Sequence, residues 1–278
     1  AFVQLNFLIN TRLASLMPIG SVTAVALGFS LMMIPEAAIA QALAIAALPT
    51  FSAQAAAGRL KEMRGSLASL LRGLLFLAVP ASVGLILLRQ PLVTIIYQRG
   101  QFNTASTQLV AWALLWYAAG LLGHSVVEIV SRAFYALHDT RTPVFVGVGA
   151  MSLNVGLSIL LSNLFVGWGW MPHGGLALAN STATFLEMAV LLFFMSRKLS
   201  GLDGSRVLNG LAKALAAAAL MGAALWGWLK LTQGASVWWI ALGGMLIGLL
   251  VYGLALVVLR VPELSKLTHT LQRRLKKE

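Results

Sequence analysis

The chain has 278 residues, 59% hydrophobic and only 10% charged, with 20 Lys and Arg against eight Asp and Glu for a formal charge of +12. That balance excludes a soluble globular domain and makes lipid the solvent for most of the surface. The cations lie between apolar runs, which points them toward an anionic membrane leaflet rather than nucleic acid, and the absence of cysteine excludes disulfides, thiolate metal sites and thiol nucleophiles.

Apolar runs of about 20 residues cross hydrocarbon as helices, because only helices and closed barrels satisfy their backbone polar groups there. The chain lacks the strict alternation of barrel strands. Eight helical segments are predicted, over 1–17, 22–51, 67–97, 107–136, 143–166, 174–196, 208–231 and 236–259, giving an all-α polytopic membrane bundle.

The first segment opens at Ala1 with no charged flank and no cleavage site. It does not read as a signal peptide, and a preceding N-terminal part is expected. It carries Gln4, Asn6, Asn10 and Arg12, with Asn6 and Asn10 on one face and Arg12 well round from them. Two readings stay open: amides and cation line an aqueous cavity, or the amides bridge helices while Arg12 snorkels outward.

In the second segment Pro35 precedes Glu36, with Gln41 beyond. A proline bends its helix and frees a carbonyl, so Glu36 is either a cavity ligand or an acid at a wet bend. Pro80 in the third is a candidate kink or hinge, with plain packing the equal alternative. In the fourth, His124, Glu128 and Arg132 recur every four residues in one column, as a proton relay or, preferably, a structural ion pair near water. Asn154 and Asn163 in the fifth segment and Asn180 and Glu187 in the sixth are expected to hydrogen-bond between helices. Gly244 and Gly248 suit close packing, and Leu264, Leu267, Leu271 and Leu275 give the basic tail an amphipathic face for the inner surface.

Orientation follows from the basic residues. Placing the C-terminus in the cytoplasm puts sixteen Lys and Arg on that side and only Arg89, Arg99 and Lys230 on the other, with Arg12 inside the first segment. Trp168, Trp170, Trp226, Trp228, Trp238 and Trp239 then fall at the outer interface, as an aromatic belt should. No nucleophile sits beside a base, no phosphate-cradling loop is present, and His124, His138, His173 and His269 are not spaced as metal ligands. Neither an enzyme, a cofactor nor a metal is expected.

Five stretches resemble the MurJ (MviN) family of lipid II flippases, in the MATE-like exporter superfamily. They are INTRLAS from Ile9, ALPTFS from Ala47, LRGLLFLAVPASVGLILLRQPLV from Leu71, YQRGQF from Tyr97 and RAFYALHDTRTPV from Arg132, which contains Asp139 and Pro143. The resemblance runs from about Gln4 to Lys198 and implies two six-helix lobes around a cavity followed by two extra helices that form a lipid-tail groove. It implies that 1–199 is the C-terminal transport lobe with its first helix truncated, 200–260 the extra pair, and 261–278 a basic amphipathic cytoplasmic tail. It further implies the bacterial cytoplasmic membrane and alternating-access export of an undecaprenyl-pyrophosphate-linked peptidoglycan precursor, possible coupling to a cation included.

One departure touches the head-group site. Relatives carry an acid and an arginine before the second-segment proline, whereas Phe29 and Ser30 stand here, and a nearby family acid aligns with Met33. Arg12 is the candidate substitute, so Asn6, Asn10, Arg12, Ser30 and Glu36 form the expected cavity set, with His124, Glu128, Arg132 and Asp139 as structural or relay residues. Rivals are an exporter of another polyprenyl-linked oligosaccharide, a cation-coupled drug antiporter, and a non-transporting cell-wall scaffold.

Overall fold

A computed structural model describes the backbone of residues 2–259 and the side chains of residues 8–259. Among them are eight helices: α1 (Phe2–Ser15), α2 (Ser21–Ala56), α3 (Leu60–Tyr97), α4 (Thr104–Ala136), α5 (Arg141–Gly167), α6 (His173–Lys198), α7 (Gly204–Leu231) and α8 (Val237–Val258). All but α1 are long and apolar enough to cross a membrane. The tail expected to be amphipathic lies outside the described residues.

Seven of the predicted segments match these helices closely, but α3 begins at Leu60 rather than 67. Its first turns carry Lys61, Glu62 and Arg64, which hide the helix from a hydropathy reading, while Met63, Leu67 and Leu71 recur every four residues and are buried. The two predicted bends differ as well. The helix α2 passes Pro35 and then widens into a π turn at Ala37–Gln41, whereas α3 runs through Pro80 and Pro91 as a single helix.

The helix α4 is the axis of the bundle: 61% of its most apolar window is buried, against 11% for α5. Helices in lipid gain little from hydrophobic burial against one another, so small residues that admit close approach decide where they cross. Gly120 of α4 meets α6 so closely that an added Cβ would lie 2.9 Å from the Cα of Ser181. Gly175 of α6 meets α5 in the same way, 2.6 Å from the backbone nitrogen of Ser162. Gly28 of α2 likewise meets α4, 3.1 Å from the backbone nitrogen of Leu114, and the three crossings set α2 and α6 against α4, with α5 against α6.

The hairpin of α7 and α8 packs on the other side, against α3. Phe76, Val79 and Leu88 of α3 meet Ala214, Ala217, Ala218, Met221 and Leu225 of α7 and Ala255 and Leu256 of α8. Tyr252 of α8 donates its hydroxyl to the Phe76 carbonyl at 2.9 Å.

The two ends of the bundle differ. One holds an aromatic cluster in which Trp112, Trp116, Phe165 and Trp170 lie with ring centroids 5.2 to 6.2 Å apart. The other holds the basic connections.

Candidate functional site

Asn10 of α1 does not face open space. Its Nδ2 donates to Asn154 Oδ1 at 3.2 Å, and the Ser158 hydroxyl donates to Asn10 Oδ1 at 3.2 Å, which ties α1 to α5. Of the two readings of this amide, helix bridging describes the contact observed. Beside it a pocket of about 310 Å³ runs between α1, α5 and α6, with Leu13, Met17, Ser158, Ser162 and Asn163 on its wall. Asn163, expected to bond a neighbouring helix, instead stands exposed on that wall.

Arg12 is exposed in the last turn of α1, at the aromatic end of the bundle, and its guanidinium has no partner among the described residues. A cation there suits the helix dipole. Ser30 is exposed on α2 and donates to the Ala26 carbonyl at 2.8 Å. Phe29 turns inward, its ring edge-on to Tyr117 at 5.3 Å and to His124 at 6.1 Å. Of the expected cavity set, the structure leaves Arg12 and Ser30 on open faces and turns Asn10 and Glu36 inward; the Asn6 side chain is outside the described residues.

Glu36 is only 4% exposed. Gln41 donates its amide to Glu36 Oε2 at 2.9 Å across five residues, a spacing that an α-helix turns away and a π turn brings near. Across the helix interface stands Glu128, close enough for the two carboxylates to repel.

The α4 column forms as the spacing suggests. Arg132 donates to Glu128 at 2.7 Å, while the His124 Nε2 lies 3.0 Å from Asn180 Oδ1 and 3.3 Å from the Thr184 hydroxyl of α6. The cross-helix bond expected of Asn180 is thus present. Glu187 makes none: its carboxylate lies against Gly147 of α5 without a polar partner among the described residues.

At the basic end, His138 takes a left-handed φ of 56° that closes α4 and presents Asp139 to the start of α5. Asp139 accepts from the Thr142 backbone at 3.0 Å, from the Thr142 hydroxyl at 2.7 Å and from Lys198 Nζ at 2.7 Å. Partial burial pushes its carboxyl up, but Lys198 and the two Thr142 donors outweigh that and hold it at about 2. A second tie links Arg64 of α3 to the Ser200 carbonyl at 3.0 Å and to Asp203 at 3.3 Å. Sequence reasoning missed both Lys198 and Arg64, because the loop positions that receive them are set by tertiary packing rather than by local spacing.

The arrangement offers open faces on α1 and α2 with one cation and one hydroxyl, and a buried polar junction among α2, α4 and α6. It has no nucleophile with a base and, among the described residues, no group of side chains able to hold a metal.

The model of one protein family, described as lipid II flippase MurJ, matches residues 1–261. A probable lipid II flippase MurJ of Haemophilus influenzae is 28% identical over 279 residues, covering 95% of this chain and 53% of the relative. One from Vibrio cholerae is 29% identical over 80% of this chain and 42% of its own, and the lipid II flippase MurJ of Burkholderia cenocepacia is 31% identical over 70% and 36%. A solved structure of lipid II flippase MurJ in an inward closed conformation shares the fold with a TM-score of 0.75 and 24% identity, over 93% of this chain and 51% of that one. The chain spans about half the length of these relatives, or less.

Proposed function

Because the chain belongs to the lipid II flippase MurJ family, we propose that it supplies the C-terminal half of a transporter, not an enzyme, that carries lipid II or a related polyprenyl-pyrophosphate-linked precursor across the bacterial cytoplasmic membrane. The observation that carries this reading is the family match over residues 1–261, which takes in all eight helices. A pyrophosphate and sugar head group cannot cross hydrocarbon unaided. A hydrated cavity between two lobes lets it pass while the prenyl chain stays in lipid.

In this reading 1–199 is the transport lobe and the face of α1 and α2 that carries Arg12 and Ser30 is its cavity wall. The α7–α8 hairpin on α3 is the tail groove, the basic end is cytoplasmic and a cation drives the cycle. Arg12 stands near the opposite end, so it would meet the head group late in transit.

The test is complementation in cells depleted of their own lipid II flippase, with lipid II exposure on the outer leaflet as the readout. The intact protein should restore growth and exposure, and Arg12→Ala should lose most of both. A well-expressed, correctly inserted protein that restores neither removes lipid II as the cargo.

A second reading, export of another polyprenyl-linked oligosaccharide, is favoured by one observation. Ser30 is exposed on α2, at the position where the family resemblance implies an arginine.

A further inference from the structure

Glu36 is the most deeply buried charged side chain among the described residues, and the charges around it do not balance. From its own helix it receives one neutral donor, the Gln41 amide. From α4 the ionisable group that acts on it is Glu128, which Arg132 engages, while His124 one turn away on that helix is held by Asn180 and Thr184. From α6 no ionisable side chain is seen against it among the described residues; Glu187 of that helix lies against Gly147 of α5 instead. From α3 the packing on this region is Leu71, Leu74 and Ala78, none of them titratable. From α1 the cation is Arg12, exposed near the other end.

A carboxylate taken out of water with no cation of its own is costly, and gaining one positive charge removes that cost. Sodium would need several oxygen ligands, yet Gln41 turns its N–H toward the acid and the Asn180 oxygen is committed to His124. A proton needs no further ligand, and the Gln41 hydrogen bond survives it. We propose that Glu36 is a proton-binding site of this lobe, exchanging with water along the open α2 surface at Ala37 and Ala38. The π turn that begins at the next residue is the element able to re-register when the charge changes, since it alone holds Gln41 over the acid. Water on that face of α2 and coupling of the proton to cargo movement rest on the transporter reading; protonation of the buried carboxyl does not.

The test is infrared difference spectroscopy on the purified intact protein in sodium-free neutral buffer. The wild type should show the C=O stretch of a protonated carboxyl, shifted by deuterium exchange, and Glu36→Gln should lose it. A wild type without the band, a band of undiminished intensity in Glu36→Gln, or a band that sodium abolishes at fixed pH would each overturn the assignment. If Glu36→Gln does not fold, Gln41→Met must move the band by removing its hydrogen bond, and an unmoved band overturns the proposal equally. A protein that fails complementation yet keeps the band loses its cargo and retains its proton site.

Discussion

Two interfaces of this bundle are built on opposite principles. Where α2, α4 and α6 meet, glycine crossings press together helices that carry Glu36, His124, Glu128 and Asn180, so close packing and polar side chains occur on the same helices. Where α7 and α8 meet α3, the contact is mostly Leu, Val, Ala, Met and Phe, with the Tyr252 hydroxyl bonded across it and the Arg72 side chain packed on Gly210 at one end. Polar groups in lipid are costly, so the first interface is shaped for more than adhesion, whereas the second needs nothing beyond fit.

The comparison breaks first if tightness is not what holds the polar junction. Gly120→Val drives a branched side chain into the α6 backbone and should lower stability in detergent by about 3 kcal/mol. Gly253→Val on α8, where an added Cβ meets nothing within 4 Å, should change it little. Equal unfolding midpoints for the two variants would mean that α4 and α6 are not close-packed as described.

A middle-sized effect sharpens the role of the basic end. Asp139→Asn weakens the tie to Lys198 and the start of α5 and should cost about 1 kcal/mol at neutral pH. The Asp139 carboxyl sits at about 2 in the fold, below its ordinary value. Its stabilisation is therefore complete above about pH 4 and fades as pH falls through about 2. Thermal unfolding of wild type and variant should accordingly converge across that window, and a constant gap would contradict the ion pair. The smallest effect belongs to the apolar interface: Tyr252→Phe should cost about 0.6 kcal/mol, the usual size of a hydrogen bond between membrane helices, and leave transport unchanged. A transport defect there would erase the contrast between the two interfaces.

The helices themselves were legible because lipid demands long apolar runs, and their ends because Gly, Pro and Asn sit where the chain must reverse. The column of His124, Glu128 and Arg132 was legible too, since spacing of four fixes a helix face. The early start of α3 was not, because charge outweighs the apolar stripe of Met63, Leu67 and Leu71 in any average. Nor was the pairing of Glu36 with Gln41, which exists only because one turn departs from α-helical spacing. The directions of Asn10 and Asn163 depended on which helix lay opposite, something hydropathy does not encode. The same holds for Lys198 meeting Asp139.

All eight tryptophans of the chain lie in the half of the bundle away from the basic connections, four of them in or beside the cluster around Phe165. This stretch of chain thus carries its own one-ended optical label. Its indole emission comes from one end of the bundle, and the coupled rings of Trp112 and Trp116 report any loosening there without an attached dye.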